Sequence, residues 1–252
     1  MKLSVVIITK NEERNIERCL KSIVDVADEI LVVDSFSTDK TIELCGKYGV
    51  KLVKHKFEGY GSQKLFATEQ AHFDYILSLD ADEELSKELK ESILKTKVNP
   101  AYDCYSFNRR NFFGKKPIRF CGWYPDKKIR LFNRLKINWN DKQVHESIEV
   151  LDRQMVSHLS GDLNHYTSSS AYELIEKGKQ YAEINAGILI KSGKSVSFVT
   201  PYLKGCFHFL KCYLLKFGFL DGCAGFIICL GSANSTFHKY SLVRKGSLSN
   251  RI

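Results

Sequence analysis

Two carboxylates follow one strongly apolar run. Residues 75–79 (YILSL) precede Asp80 and Asp82, which are two positions apart. Because side chains alternate along a strand, the pattern predicts that both acids face the same way. Mg²⁺ and Mn²⁺ are held by carboxylates, and Mg²⁺ commonly shares one or two of them with the phosphates of a substrate. The spacing therefore predicts a divalent-cation site with Asp82 as a ligand, although such triplets also occur at helix starts and polar turns.

Alternating strand and helix patterns precede this site. A β-branched run at residues 3–8 is followed by apolar residues at helical spacing, a strand at residues 29–34, a short helix and a strand at residues 50–53. Asn11 is expected to cap the first helix, and Ser37 or Thr38 the second. The order β-α-β-α-β predicts a parallel sheet with right-handed crossovers.

Polar residues gather at one edge of the predicted sheet. In parallel α/β sheets, ligands bind outside the carboxyl ends of the strands. The residues expected at that edge are Thr9, Asn11, Asp34, Asp39, Asp80 and Asp82. Their types suit one nucleotide diphosphate and its cation.

Three N-terminal segments resemble the signatures of family 2 glycosyltransferases in order and spacing. They are residues 4–13 (SVVIITKNEE), 33–41 (VDSFSTDKT) and 79–83 (LDADE). Residues 122–132 (GWYPDKKIRLF) and 143–146 (QVHE) resemble the short bacterial enzymes that glycosylate lipopolysaccharide or lipooligosaccharide cores, including β-glucosyltransferases. The likeness covers residues 1 to about 165.

The resemblance implies a GT-A-type α/β fold, a Rossmann-like and mostly parallel sheet flanked by helices. Residues 1–165 are expected to form the catalytic domain, and residues 166–252 a basic, amphipathic helical appendage. The implied reaction is metal-dependent, inverting transfer of a hexose from a UDP-sugar to a glycolipid or surface-polysaccharide acceptor.

The donor site has several candidate residues. The resemblance implies that the turn from Thr9 through Asn11 to Glu12 recognises uridine together with Asp34. Asp39 is a weaker candidate, because a carboxylate is also favourable in the first turn of a helix. We predict that Lys64 lies in a Gly-containing loop near the diphosphate; a lysine in such a loop is equally compatible with solvent exposure.

Acid-base chemistry needs a carboxylate that takes the proton of the acceptor hydroxyl. We predict Glu146 as this base, with Asp126 as the alternative. Arg130, in a strand-like segment, is predicted to contact phosphate, and its other role would be an exposed strand cation. His145 is a candidate metal ligand, although a single histidine is often structural.

Charge is distributed unevenly along the chain. The net charge is +9, and from residue 166 onward eleven Lys and Arg face four acidic residues. Nucleic acid is not the expected partner, because no nucleic-acid-binding signature is present. The aromatic and aliphatic residues between 198 and 230 favour helices lying on the anionic inner-membrane surface, while packing against the catalytic domain is equally compatible.

The chain has eight cysteines without a C-x-x-C pair and no N-terminal secretory signal. These features predict a cytoplasmic location and are compatible with peripheral attachment to the inner membrane.

Other classes of protein share parts of this pattern. A nucleotidyltransferase should carry a Gly-rich, Arg-containing loop after the first strand, and this chain has TKNEE there. A polyprenyl-phosphate glycosyltransferase has an acceptor that carries its own charge, and the His145-Glu146 segment argues against it. A catalytically silent glycan- or membrane-binding protein on the same scaffold is disfavoured only because the predicted metal-binding and catalytic carboxylates are all present.

Overall fold

The computed structural model describes residues 1–137, 139, 148 and 156–249, with side chains up to residue 246 in the last helix. Contacts between residues divide the chain into two compact units. The first comprises Met1–Arg109 and Asp126–His165, and the second Arg110–Pro125 and Tyr166–Ile252. Residues 110–125, which the predicted domain division placed in the catalytic part, therefore group with the C-terminal unit.

The elements up to residue 168 begin with the predicted alternation of strands and helices and continue with runs of consecutive strands. They are β1 (Leu3–Thr9), α1 (Ile16–Ile23), β2 (Glu29–Asp34), α2 (Thr41–Gly46), β3 (Lys51–Lys54), α3 (Tyr60–Glu69), β4 (Tyr75–Asp80), β5 (Glu83–Leu85), α4 (Lys87–Val98), β6 (Cys104–Phe113), β7 (Lys116–Pro117), β8 (Asp126–Asn133) and β9 (Val156–Ser168). The β-α-β-α-β prediction is confirmed. Chain boundaries between the two units fall within β6 and β9.

The sheet has the order β3-β2-β1-β4-β8-β6-β9-β5. Strands β3, β2, β1 and β4 are parallel, whereas β4–β8, β6–β8 and β5–β9 are antiparallel pairs. The sheet is thus mixed, with its parallel half at the N-terminal end of the chain. The register sets Thr9 opposite Asp34, and Ile8 opposite Asp80. Three of the predicted site residues therefore end neighbouring strands.

Strand β1 is buried on both faces, as its β-branched sequence predicts. Leu3, Val5 and Ile7 share one core cluster with the buried face of α1 and with α4. Val6 and Ile8 belong to the other cluster, to which α3 contributes Ala67. Helices thus cover both faces of the parallel strands, and the polar strand ends are held by a rigid core.

The predicted helix caps and the predicted loop around Lys64 are wrong. Asn15, not Asn11, precedes α1, and Lys40 precedes α2; neither side chain makes a capping hydrogen bond. Lys64 lies in the middle of α3, with a side chain only 1% exposed. Burial of one face of α3 outweighs the low helix propensity of the glycine in its first turn.

The C-terminal unit is helical. Its helices are α5 (Ala171–Lys191), capped by Ser170, α6 (Thr200–Leu210) with a π-helical extension, and α7 (Gly222–Ser249) after a short 3-10 turn. The predicted helical character of this appendage is confirmed. Among the described residues, no single helix is both long and apolar enough to cross a membrane; Thr200–Leu215 and Gly218–Gly246 reach that length and composition only as a pair bent by 72°.

Candidate active site

The loops that follow β1 and β2 are joined by crossing hydrogen bonds. Asn11 has φ +54°, and its side-chain oxygen accepts from the Thr38 backbone N–H at 2.8 Å. The Glu13 N–H donates to Asp39, and the Glu12 N–H donates to the Thr41 hydroxyl at 2.8 Å. Burial acts to raise the pKa of Asp39, but hydrogen bonds from Thr41 and Glu13 outweigh it and lower this pKa below its usual value. Asn11 and Asp39 thus hold the two loops together.

Thr9 and Asp34 lie side by side at the ends of β1 and β2. Asp34 is fully buried, and its carboxylate accepts from the backbone N–H of Ser37 at 2.9 Å and from the Ser37 hydroxyl. The buried Thr9 hydroxyl has no hydrogen-bond partner within the described part of the chain. Because buried polar groups are rarely left unsatisfied, this hydroxyl is a position at which a ligand group would find a partner.

Asp80 ends β4 between two buried cations. Lys64 Nζ lies 3.0 Å from Asp80 Oδ1, and Arg130 Nη2 lies 2.8 Å from Asp80 Oδ2. Burial acts to raise the pKa of Asp80, but Lys64 and Arg130 outweigh it and hold this pKa well below its usual range. Asp80 therefore stays ionised and fixes both cations. Arg130 is 4% exposed, which excludes the role of an exposed strand cation.

The ion pairs continue from Arg130 to Asp126. Arg130 also forms an ion pair with Glu83 at 3.1 Å. Glu83 in turn lies 3.7 Å from Arg109, and the guanidinium of Arg109 forms an ion pair with Asp126 at 2.7 Å. Lys128 lies 3.1 Å from the other oxygen of Asp126. The seven groups carry four positive and three negative charges in their ordinary ionised forms. We call them the ion-pair network; its members are Lys64, Asp80, Arg130, Glu83, Arg109, Asp126 and Lys128.

Asp126 is held tightly by its neighbours in this network. Burial acts to raise the pKa of Asp126, but Arg109 and Lys128 lower it overall. A carboxylate with a lowered pKa is a weaker proton acceptor. This electrostatic environment makes Asp126 a poorer base.

Trp139 packs over two cations of the network, Lys64 and Arg130. Its ring centroid lies 5.1 Å from Lys64 Nζ and 5.7 Å from the guanidinium carbon of Arg130. Both cations thus lie within the range of cation–π attraction and are shielded on this side by an apolar ring. Charge in such a sheltered environment acts more strongly on a bound anion than it would in water.

Asp82 lies in the turn between β4 and β5 and is paired with a histidine. Its Oδ2 is 3.4 Å from Nε2 of His165, because β5 pairs with β9 and sets Glu83 opposite His165. Within residues 1–137 and 156–246, no group of three His, Cys, Asp or Glu side chains is arranged to hold a metal ion. The Asp82 carboxylate nevertheless suits Mg²⁺ or Mn²⁺ if the diphosphate supplies the remaining oxygens, and the imidazole is a better ligand for Mn²⁺ than for Mg²⁺. Asp82 and His165 fit such a shared site, whereas the Asp80 carboxylate is ion-paired with Lys64 and Arg130.

The structure therefore brings most predicted site residues to one edge of the first unit. Asp80, Lys64, Arg130 and Asp126 belong to the ion-pair network, and Asp82 lies two residues beyond Asp80. Thr9, Asn11, Glu12, Asp34 and Asp39 lie at the ends of β1 and β2 or in the loops that follow. The predicted base Glu146 and the predicted ligand His145 lie outside the described residues.

A scan against protein-family models matches residues 4–155 to glycosyl transferase family 2. The match contains the strand ends, both loops and all seven residues of the ion-pair network, and it spans more than half of the chain. The chain belongs to glycosyl transferase family 2. The resemblance noted from residues 4–13, 33–41 and 79–83 is thereby confirmed, and with it the GT-A-type α/β fold.

Relatives of this glycosyltransferase align along nearly its full length. An uncharacterized glycosyltransferase from Rickettsia bellii is 33% identical over 98% of this chain and 87% of its own. The lipopolysaccharide core biosynthesis glycosyltransferase LpsC of Rhizobium meliloti is 29% identical, covering 93% and 89%. Among solved structures, S. aureus TarS 1–349 in complex with UDP-GlcNAc superimposes with a TM-score of 0.49 at 16% identity, covering 100% of this chain and 92% of that one.

Several residues of this family 2 site are not predicted from the sequence, among them Glu83, Arg109, Lys128, Trp139 and His165. Glu83 directly follows Asp82 in an acidic stretch, and its position in the sequence does not separate it from the neighbouring acids. Arg109 lies in β6, where nothing in its local sequence marks it as a partner of Asp126. His165 is 83 positions from Asp82, so only the antiparallel pairing of β5 with β9 reveals their proximity. Only Glu83 has a signal in the sequence that could have indicated it, because it directly follows the two acids of the predicted metal site.

Proposed function

We propose that this chain transfers a hexose from a UDP-sugar, with inversion, to a glycolipid or surface-polysaccharide acceptor such as lipopolysaccharide. The observation that supports the donor half most directly is the buried pairing of Lys64 and Arg130 with Asp80, at the end of β4 in a family 2 chain. A diphosphate leaving group needs fixed positive charge, and these two cations are fixed by the fold.

The nucleoside half of the donor is assigned to the strand ends of β1 and β2. Thr9 offers an unpartnered buried hydroxyl among the described residues, and Asp34 lies directly opposite in the register. An acidic residue at such a strand end is suited to ribose hydroxyls or the base. The hydrogen bonds that Asn11 and Asp39 make between the two loops fix the backbone beside these strand ends.

Asp82 and His165 are proposed to hold a divalent cation together with the diphosphate. When bound, Mg²⁺ or Mn²⁺ would act as a Lewis acid that offsets the charge developing on the departing phosphate oxygen. The chain's own contribution is to orient the two ligands through the β5–β9 pairing and to complement the remaining charge with Lys64 and Arg130. Asp80 acts as an anchor for these cations.

The acceptor is proposed from the relatives. LpsC, which aligns over 93% of this chain, is named as a lipopolysaccharide core biosynthesis enzyme. The eight free cysteines suit a reducing compartment, so we place the reaction in the cytoplasm, at the inner face of the membrane that carries the acceptor.

A donor screen tests this function. Nucleotide sugars are compared for thermal stabilisation of the chain and for slow hydrolysis, each with and without Mn²⁺. We expect stabilisation by UDP and hydrolysis of a UDP-hexose, both dependent on the cation. Stabilisation by a nucleoside triphosphate with pyrophosphate release would instead indicate a nucleotidyltransferase, and no response to any nucleotide would indicate a binding protein.

Glu146→Gln is expected to lower turnover by about a hundredfold or more while leaving UDP affinity unchanged, since it removes only the proton acceptor. The matched variant Asp126→Asn is expected to have a smaller effect on turnover, because Asp126 is already held by Arg109 and Lys128. Steady-state kinetics and calorimetric UDP titration measure the two quantities separately. If Glu146→Gln retained near-normal turnover and Asp126→Asn did not, the base would be Asp126.

A further inference from the structure

Helix α6 of the C-terminal unit has an apolar side that faces away from its packing partner. Pro201, Gly205 and Cys212 are buried, and a Cβ on Gly205 would lie 3.3 Å from the Phe237 side chain of α7. Residues two positions further along lie about 200° around the helix, on the opposite side. That side is formed by Leu203, Phe207, Leu210 and Leu214, which are between 51% and 65% exposed.

The same surface continues around the bend before α7. The chain turns at Phe217, which has φ +54°, and enters the short 3-10 turn. The large side chains here are also exposed, at 44% or more. We define the apolar stripe as the four exposed residues of the helical segment and the four of the bend, which are Leu203, Phe207, Leu210, Leu214, Leu215, Phe217, Phe219 and Leu220. Contiguous exposed apolar surface of this kind marks a site of interaction.

The segment that carries the stripe is basic. Residues 192–249 contain seven Lys and Arg and a single acid, Asp221. Asp221 is 3% exposed, and its carboxylate accepts from the backbone N–H groups of Arg119 and Phe120. Lys204 and Lys211 are exposed, and each lies one position from a stripe residue. An incoming surface therefore meets apolar side chains flanked by positive charge.

We propose that the apolar stripe lies in the interface of an anionic phospholipid bilayer. Exposed Leu and Phe with flanking lysines match the chemistry of acyl chains below acidic headgroups. A nucleic acid would leave the aliphatic side chains uncovered. A second copy docking through the same stripe would bring Lys204 and Lys211 of both copies together, and like charges in an interface are unfavourable.

Sedimentation with vesicles tests this proposal on the full chain. We expect it to sediment with phosphatidylcholine vesicles that contain phosphatidylglycerol, much less with phosphatidylcholine alone, and less as salt is raised. The triple change Leu203→Ser, Phe207→Ser, Leu214→Ser is expected to weaken partitioning at least about a hundredfold. Lys204→Gln with Lys211→Gln is expected to weaken it by about fivefold per lysine and to reduce the salt dependence.

The matched control is Val98→Ser with Leu135→Ser, two exposed apolar residues of the first unit, which should leave sedimentation unchanged. Equal binding to neutral and anionic vesicles, or normal binding by the triple variant, would overturn the proposal. The proposal would also be overturned if the chain did not bind vesicles but formed a dimer in solution, and if the triple change dissociated that dimer.

A tryptophan probe keeps the test decisive if the triple variant does not fold. The fluorescence of the tryptophan in Leu214→Trp should be quenched by brominated lipids in anionic vesicles, whereas that in Leu135→Trp should not. Both signals are taken after subtracting the fluorescence of the native Trp123 and Trp139. Absence of quenching at position 214 would contradict the proposal. Hydrolysis of the UDP-sugar by the stripe variants should equal that of the unchanged chain, so failure of the membrane proposal and failure of the transferase proposal are distinguishable.

Discussion

Asp82→Asn is expected to lower turnover with the UDP-sugar by at least about a hundredfold and to remove the Mn²⁺ dependence of UDP binding. The substitution keeps the shape of the side chain but removes the charge that a divalent cation requires. Loss of the cation also removes several kcal/mol of stabilisation of the developing charge. Calorimetric titration of UDP, with and without Mn²⁺, measures the binding effect directly.

The control for this experiment is Asp25→Asn, which changes an exposed acid paired only with Lys90 among the described residues. It should leave both titrations unchanged. His165→Ala should weaken the Mn²⁺ dependence in the same direction as Asp82→Asn, because the two side chains lie 3.4 Å apart. A UDP affinity that still rises with Mn²⁺ in Asp82→Asn would contradict the proposed metal site.

Glu83→Gln is expected to destabilise the chain by about 3–5 kcal/mol, the usual result of removing one partner of a buried charge pair. Glu83 is buried, accepts from the Asp80 backbone N–H at 2.9 Å and contacts both Arg130 and Arg109. A glutamine cannot serve all three, because its amide nitrogen would face a donor whichever way it turns. The expected fall in the unfolding midpoint is about 6–20 °C.

Thermal unfolding followed by circular dichroism measures this change, and Glu91→Gln is the matched control on the exposed face of α4. We also expect Glu83→Gln to weaken UDP binding at temperatures where it remains folded, since Arg130 loses one of its two anchors. A midpoint within about 2 °C of the unchanged chain, a shift expected from at most about 1 kcal/mol, would show that the ion-pair network does not depend on Glu83.

The parallel half of the fold could be predicted because its signals are local. Strand β1 is a continuous β-branched run, and α1 repeats its buried residues at helical spacing. The positions of Thr9, Asp34 and Asp80 follow from where those strands end. The antiparallel half depends on pairing between distant segments, for which the sequence carries no short-range pattern.

The details that were wrong or overlooked share a cause. The glycines near Lys64 predict a loop, yet contacts of α3 with the sheet stabilise a helix there. Asn11 was expected to cap α1, but its side chain bonds to the loop after β2 instead. His165 reaches Asp82 only through β9. In each case a long-range contact decides the position of a polar side chain.

The crossed loops after β1 and β2 have a consequence for nucleotide recognition. Asn11, Glu12 and Glu13 are tied to residues 38–41 by the chain's own hydrogen bonds, with no ligand needed to order them. The conformational entropy of these loops is therefore lost when the protein folds rather than when the nucleotide arrives. Uridine would bind to loops that are already ordered, and a substitution in either loop should also make the other loop more flexible.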